Sequence, residues 1–324
     1  MNRSKPCLRR KAAHAVLAVA AVTLVGCGGG SRVADFHPTR ILSFGDETSV
    51  ITADGRKYTV NAVVSGTSTV DCSANLIWVQ ALAKNYGLVF PQCNPGAVAA
   101  PTGRILAVPG AKIADLPAQI DAFVAADRLL DHDLATVLAG ANDVVELYRQ
   151  FPTQSADALV AAAEARGTAL ADQVNRISLT GARVVVATVL RQGQTPFGVA
   201  EQAANPTSNP GRADLLNRLS DRLNAKLRIG LINDGRKIAL VLADERISTI
   251  VSRPGDFSFV NATQAACLAS AAPPACTTQT LTTSSTGTAA DGSTWLWAND
   301  FNLSAGGQSR FGDAAVAAAN NNPF

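Results

Sequence analysis

The chain has 324 residues, of which 47% are hydrophobic and 16% are charged, enough for one large buried core. Its formal charge of +3 includes five basic residues and no acidic residue within positions 1–26, so the remainder carries −2. This balance excludes a basic nucleic-acid-binding surface, and no nucleic-acid partner is expected.

The first residues are typical of an exported precursor. A basic segment precedes an apolar run from Ala12 to Val25 that is too short to span a bilayer comfortably, which predicts a secretory signal over 1–26.

The run ends in Leu24-Val25-Gly26-Cys27, which resembles a bacterial lipoprotein box. The resemblance implies acylation of Cys27, a tether over 27–39 and attachment to a membrane of the cell envelope. The absence of Asp after Cys27 favours the outer membrane, facing the periplasm or the surface. An ordinary cleaved signal and an N-terminal membrane helix are the alternatives.

Four cysteines remain once Cys7 is removed with the signal and Cys27 is acylated. In an exported protein they predict two disulfides, with free thiols as the alternative. Three pairings are open, and Cys72–Cys93 with Cys267–Cys276 is preferred because each closes a short local loop. A metal site is not expected, since no cysteine pair has close spacing and the mature chain has only two histidines. No cofactor is expected either.

Strand-like and helix-like segments alternate after residue 40, which is typical of a single doubly wound α/β domain over 40–324. Apolar stripes at helical spacing predict long helices over Ser155–Leu179 and Arg212–Ile232. Val, Ile and Leu run without strict alternation in five further segments, as expected for a mostly parallel sheet with helices on both faces. The predicted strands are Arg40–Phe44, Arg104–Val108, Leu134–Ala139, Val184–Leu190 and Ile238–Leu242.

Two segments depart from this alternation. Residues 51–60 carry an Asp-Gly pair between apolar residues, which predicts a hairpin insertion. Residues 277–294 are rich in Ser, Thr and Gly without an apolar period, which predicts a loop, and the position of this loop places it near the rim of a site.

Four blocks follow one another from residue 40 to about 310. They are Phe44-Gly45-Asp46-Glu47, Pro109-Gly110 with Gln119-Ile120, Gly140-Ala141-Asn142-Asp143, and Trp297-Ala298-Asn299-Asp300-Phe301-Asn302. In kind and in order they resemble the signature blocks of the GDSL/SGNH ester hydrolases. The resemblance implies a flavodoxin-like sandwich. It also implies an oxyanion hole formed by the backbone N–H of Glu47, the backbone N–H of Gly110 and the side-chain amide of Asn142. A turn glycine and a helix N-cap are the structural alternatives for Gly110 and Asn142.

The reacting groups of the family are replaced. Its Ser, Asp and His positions hold Glu47, Asn299 and Asn302, and Gln308 occupies the place of a second histidine in many relatives. Loss of Ser or His from such a triad costs on the order of 10⁶-fold in kcat. No intact catalytic residue is therefore predicted, and whether the chain is an enzyme is left open.

Three other residues are poor substitutes for the missing groups. His37 lies in the tether, and His132 precedes a strand at the end opposite a site on strand carboxyl ends. Ser49 lies two residues beyond Glu47, with no base in the sequence nearby to activate it.

The leading hypothesis is an inactive pseudo-hydrolase with a binding or accessory role and an acyl or glycan ligand. This hypothesis predicts that the Glu47 carboxylate lies within hydrogen-bonding reach of the Gly110 N–H or the Asn142 side chain. The alternative is a hydrolase of ester or glycosidic bonds that uses a carboxylate pair, Asp46 with Glu47 or Glu47 with Asp300. Nothing in the sequence indicates the oligomeric state.

Overall fold

The computed structural model describes residues 36–283 and 287–324. The predicted signal, the lipidation site Cys27 and the tether up to residue 35 lie outside the described residues. No helix in the described part combines the length and the apolar character needed to cross a bilayer.

The fold is built on a sheet of five parallel strands in the order β4-β1-β5-β6-β7. Two-residue strands β2 and β3 pair antiparallel, and β8 pairs with β9 in parallel. The strands are β1 Arg40–Gly45, β2 Ala62–Val63, β3 Val70–Asp71, β4 Gly103–Ile105, β5 Asp133–Leu138, β6 Arg183–Ala187, β7 Ile238–Val241, β8 Asn261–Ala265 and β9 Trp295–Trp297.

Helices cover both faces of the sheet, and each strand sends alternate side chains to the two sides. Leu42 and Phe44 of β1 pack with α2, α3, α4 and α6, whereas Ile41 packs with α1, α7 and α8. The helices are α1 Trp78–Asn85, α2 Leu116–Ala126, α3 Ala141–Tyr148, α4 Ala156–Leu179, α5 Pro196–Ala204, α6 Arg212–Gly230, α7 Ala243–Ser252 and α8 Ala305–Asn321.

The predicted fold class is confirmed. The strands lack alternation because both of their faces are buried, and all six residues of β5 are buried. In this strand order the connections leave β1 and β5 in opposite directions, so a crevice forms at the carboxyl ends of these two strands.

The predicted second strand, Arg104–Val108, is shorter in the structure, where β4 ends at Ile105. The N–H groups of Leu106 and Ala107 both donate to Ser43 O at 2.8 Å, and Val108 N–H donates to Gly45 O at 3.0 Å. The chain therefore follows β1 beyond the regular ladder and leads into the loop that carries Gly110.

The predicted hairpin over 51–60 is a turn with a single antiparallel bridge, between Ile51 and Lys57. The turn is closed by Thr52 N–H, which donates to Arg56 O at 2.9 Å. Pairing stops there because the Lys57 N–H donates to the Asn61 side chain at 2.9 Å instead of to a partner strand. The antiparallel pair of this region lies just downstream, in β2 and β3.

Both preferred disulfides are confirmed: Cys72 is bonded to Cys93, and Cys267 to Cys276. The second bridge belongs to a small apolar cluster with Val60 and Trp295. The described part of 277–294 contains isolated bridges and no helix or regular strand. It extends this cluster through Leu281 and Ala290.

Candidate functional site

A sharp turn after β1 brings Glu47 to the crevice. Gly45 adopts φ +128°, and a Cβ at this position would lie 1.8 Å from Leu138 O, so only glycine fits. The Gln119 side chain holds the turn, because its Oε1 accepts from Gly45 N–H at 2.8 Å and its Nε2 donates to Gly45 O at 2.9 Å. The next residue, Asp46, donates its N–H to Leu138 O at 3.0 Å. The chain therefore leaves the sheet between β1 and β5.

The carboxylate of Glu47 meets two of the three expected oxyanion-hole donors. Its Oε2 accepts from Gly110 N–H at 2.8 Å and from Asn142 Nδ2 at 3.1 Å. Asn142 Nδ2 also donates to Ala111 O at 3.1 Å, which fixes the orientation of its amide. Both of the predicted hydrogen bonds to Glu47 are present.

Asp143 fixes the position of the loop that carries Gly110. Its Oδ2 accepts from Ile113 N–H at 2.9 Å, and its Oδ1 accepts from Arg166 Nη1 of α4 at 2.9 Å. Burial raises the pKa of this carboxyl, while the Ile113 N–H and Arg166 oppose the shift. Asp143 therefore joins the loop to α3 and α4, so the two donors to Glu47 are held in place by residues behind them.

Asp46 lies behind Glu47 and is buried, with 1% of its surface exposed. Burial raises the pKa of Asp46 well above its usual range, and the negative charge of Glu47 raises it further. Its Oδ1 accepts from Thr48 N–H at 3.0 Å, which stabilises the turn. The two neighbouring carboxyls therefore have different environments: Asp46 is in the interior, and Glu47 lines a cavity.

The cavity beside Glu47 has a volume of about 420 Å³. Lys112 Nζ and Arg166 Nη2 each lie 2.6 Å from an oxygen of Glu146, which forms one wall. Both polar and apolar residues line the cavity. The lining residues are Glu47, Gly110, Lys112, Ala141, Asn142, Val145, Glu146, Arg149, Gln150 and Phe301.

In the final block, residues 297–302, Phe301 lines the cavity, whereas Asn299 and Asn302 do not. Asn299 Oδ1 accepts from Phe301 N–H at 3.0 Å and from Asn302 N–H at 2.7 Å, which closes a local turn. Asn302 is 7% exposed. Of the three triad positions, only Glu47 lines the cavity within the described residues.

The other candidate groups do not converge on the cavity. Ser49 is fully buried, and its Oγ accepts from Trp78 Nε1 at 3.1 Å. Gln308 is also buried, with Oε1 accepting from Trp78 N–H at 3.2 Å. His132 O accepts from Thr39 N–H at 2.9 Å, which places this exposed residue at the strand-start edge of the sheet. His37, two residues before Thr39, is exposed.

The loop over 277–294 does not line the cavity in its described part, contrary to the expectation from its position before the last block. The disulfide Cys267–Cys276 and the apolar cluster with Val60 hold it on another part of the surface. The loop is therefore close to Asn299 in the sequence, but it does not contribute to the cavity that Glu47 lines.

Sequence reasoning missed the charged wall of the cavity. Asn142 and Glu146 of α3 and Arg149, the residue that follows the helix, stand at positions i, i+4 and i+7, which is the spacing of one helix face. That spacing was readable in the sequence, although the pairing of Glu146 with Lys112 and Arg166 depends on tertiary contacts. Across residues 36–283 and 287–324, no group of three or more His, Cys, Asp or Glu side chains could hold a metal ion.

Comparison with known proteins gives matches among solved structures alone: no family model and no curated protein sequence matches the chain. A lipase from a goat rumen metagenome is 10% identical, with a TM-score of 0.49 over 86% of this chain and 96% of its own. A putative GDSL-like lipase from Parabacteroides merdae is 12% identical, with a TM-score of 0.44 over 88% and 97%. The acetylxylan esterase Axe2 from Geobacillus stearothermophilus is also 12% identical, with a TM-score of 0.42 over 89% and 98%. By its sheet order and the placement of its signature blocks at the carboxyl ends of β1 and β5, the chain has the fold of the GDSL/SGNH hydrolases.

Proposed function

We propose that this chain is a lipid-anchored protein of the cell envelope that uses the SGNH-hydrolase fold for binding, in an accessory role, and does not hydrolyse esters. The observation that carries the proposal is the pair of hydrogen bonds that Glu47 Oε2 accepts from Gly110 N–H and Asn142 Nδ2. These donors face a resident carboxylate, where an active relative would hold the oxygen of its substrate.

An oxyanion hole accelerates acyl transfer because its donors are aimed at charge that develops only in the transition state. With the Glu47 carboxylate in place, Gly110 and Asn142 already have a negatively charged partner. A substrate oxygen would have to displace that partner, and the charge on Glu47 would repel the developing oxyanion. The residue that replaces the nucleophile therefore also opposes the stabilisation of the transition state.

Proton transfer is missing as well. Asn302 replaces the general base of the family, and an amide side chain has no basic nitrogen that could accept the proton of a hydroxyl. Asn299 is engaged in a local turn with Phe301 N–H and Asn302 N–H. Ser49 is buried against Trp78, so this hydroxyl is not accessible to a substrate.

The cavity supports a binding role for a small polar ligand of acyl or glycan type. Phe301 offers an apolar ring to the cavity, and Lys112, Arg149 and Gln150 offer hydrogen-bond donors. Within the described residues, both hydrogen bonds of the Glu47 carboxylate end on Oε2, so Oε1 is available as an acceptor. A sugar, which combines hydroxyl groups with apolar ring faces, matches such a lining.

A second candidate function is hydrolysis by carboxylate chemistry, and the raised pKa of Asp46 favours it. A protonated acid beside an ionised carboxylate is the pairing that glycoside hydrolases use. Against it, Asp46 is buried and caps Thr48, so it does not reach the cavity. Asp300 is exposed on the surface and is not among the residues that line the cavity.

The test is hydrolysis of activated short-chain nitrophenyl esters and nitrophenyl glycosides by the mature chain. We expect no rate above a denatured control. Glu47→Ala and Ser49→Ala distinguish the alternatives. A rate that Glu47→Ala abolishes would establish carboxylate catalysis, and a rate that Ser49→Ala abolishes would show that this serine is the nucleophile. Either result would overturn the binding role.

A further inference from the structure

Four large apolar side chains are exposed at the edge of the domain where the strands begin. Ile229 is 76% exposed and Leu179 70%, and Ile232 and Leu130 are 40% and 38% exposed. We refer to these four residues as the basal cluster. Single exposed apolar residues are ordinary on a soluble surface, so the significance of the cluster depends on whether its members lie together.

Hydrogen bonds and packing link the members of the basal cluster. Asn175, one turn before Leu179, donates its Nδ2 to Gly230 O at 2.8 Å and accepts from Ile232 N–H at 2.8 Å. This joins the end of α4 to the end of α6. On the other side, Gly181 packs against Asp131, the residue after Leu130. The cluster therefore spans the segments that lead into β5, β6 and β7.

The described chain begins at the same edge. Thr39 N–H donates to His132 O at 2.9 Å, and the guanidinium of Arg183 lies 5.5 Å from the centre of the Phe36 ring. Cys27 lies nine residues before Phe36 in the sequence. A fully extended chain of that length reaches about 30 Å.

That reach limits how the domain can be held at a membrane. A domain of this length has a radius of gyration of about 19 Å, so it is roughly 50 Å across. The tether is too short to extend around the domain, so a bilayer that holds Cys27 cannot lie flat against the edge that carries Glu47. It can lie flat against the edge where the chain begins.

We propose that the basal cluster rests on the lipid surface and that the Glu47 cavity faces away from the membrane, toward the aqueous phase. The proposal rests on the lipid anchor of the proposed function. Exposed charges beside the cluster have both signs, as with Arg128, Asp131 and Arg236. The contact is therefore apolar insertion rather than attraction to anionic lipid, and it does not require a negatively charged bilayer. The ligand of the cavity then comes from the aqueous phase.

The test uses the full chain isolated from bacterial membranes and reconstituted in vesicles of zwitterionic phosphatidylcholine with brominated acyl chains, which quench indole fluorescence on contact. Leu179→Trp places an indole in the basal cluster. Val108→Trp is the matched control, because Val108 is 51% exposed and its N–H donates to Gly45 O at the opposite edge. The three native tryptophans are common to both variants. We expect loss of the added fluorescence in Leu179→Trp alone, with no change on addition of salt.

Each other outcome overturns the orientation in a recognisable way. If the chain is not recovered with membranes, the lipid anchor of the proposed function fails and the orientation fails with it. If the chain is anchored but the indole of Leu179→Trp keeps its fluorescence, or both indoles are quenched alike, only the orientation fails. Concentration-dependent self-association in detergent that Leu179→Gln together with Ile229→Gln abolishes would show that a second copy covers the cluster.

Discussion

Glu47 Oε2 accepts a hydrogen bond from Gly110 N–H at 2.8 Å, and this contact joins the turn after β1 to the loop that follows β4. Asn142 Nδ2 reaches the same oxygen from α3 at 3.1 Å. The Glu47 carboxylate therefore places a negative charge between two hydrogen-bond donors from distant segments of the chain.

Glu47→Ala is expected to lower the free energy of unfolding by about 1 kcal/mol, because two donors lose a charged acceptor. Gly110 is exposed, so water can replace the carboxylate and keep the cost small. Urea unfolding measures the change. Glu47→Gln is the control, since its amide oxygen can still accept from both donors. An unchanged stability in Glu47→Ala together with a loss in Glu47→Gln would contradict the assignment.

The triple variant Glu47→Ser/Asn299→Asp/Asn302→His is expected to show ester hydrolysis that the wild type lacks. The Gly110 N–H and the Asn142 amide can already donate to an oxyanion. The variant adds the nucleophile and the base that these donors lack in the wild type. Kinetics with short-chain nitrophenyl esters measures the gain. Glu47→Ser alone is the control, because a serine without its base leaves only weak catalysis. A triple variant that folds but hydrolyses no faster than Glu47→Ser would mean that Asn299 and Asn302 do not occupy the positions of the family's acid and base.

The sheet was predictable because it depends on local sequence patterns, whereas the Glu47 contacts join residues 63 and 95 positions apart and were predicted from the resemblance to the family blocks. Continuous apolar runs identify strands that are buried on both faces, and the spacing of Gly110 and Asn142 from Glu47 follows the family blocks. The cavity wall and Lys57 were not predictable, since they depend on contacts between distant segments. Lys57 is fully buried, although a lysine beside an Asp-Gly turn predicts an exposed side chain.

Between pH 4 and pH 8, the free energy of unfolding is expected to fall less with rising pH in Asp46→Asn than in the wild type. Burial and the charge of Glu47 raise the pKa of Asp46 above that of the unfolded chain. The stabilising effect of the protonated form is therefore complete below the unfolded pKa and is lost as pH rises through the folded pKa. The amide introduced by Asp46→Asn would keep an oxygen that accepts from Thr48 N–H and would carry no charge. Urea midpoints from pH 4 to pH 8 compare the two proteins, and parallel pH profiles would count against this assignment.

Cys27→Ser is expected to release the mature chain from membranes when the signal is removed, because the proposed anchor is the acyl group on this cysteine. Fractionation of cells that express the variant measures the release. Cys7→Ser, within the predicted signal, is the matched control and leaves the mature chain anchored. Membrane retention of the unacylated Cys27→Ser chain would contradict the lipid anchor.

Lys57→Met is expected to destabilise the fold by about 2–4 kcal/mol at pH 7, because three partly buried carbonyl acceptors lose their donor. Lys57 Nζ donates to Cys72 O at 3.0 Å, Ala74 O at 2.6 Å and Asn75 O at 3.0 Å, so one ammonium closes the segment after β3. Burial lowers the pKa of Lys57 to about 8, and the group remains charged at pH 7. Methionine fills a similar volume without a donor, which separates the loss of hydrogen bonds from the loss of packing.

Lys84→Met is the matched control for this measurement, because Lys84 is exposed on α1 and the same change there removes no buried hydrogen bond. Urea unfolding at pH 7 is expected to give Lys84→Met a midpoint close to that of the wild type and Lys57→Met a clearly lower one. If Lys57→Met matched the wild type, the three carbonyls would have to find other donors, and the segment from Cys72 to Asn75 would not depend on the lysine.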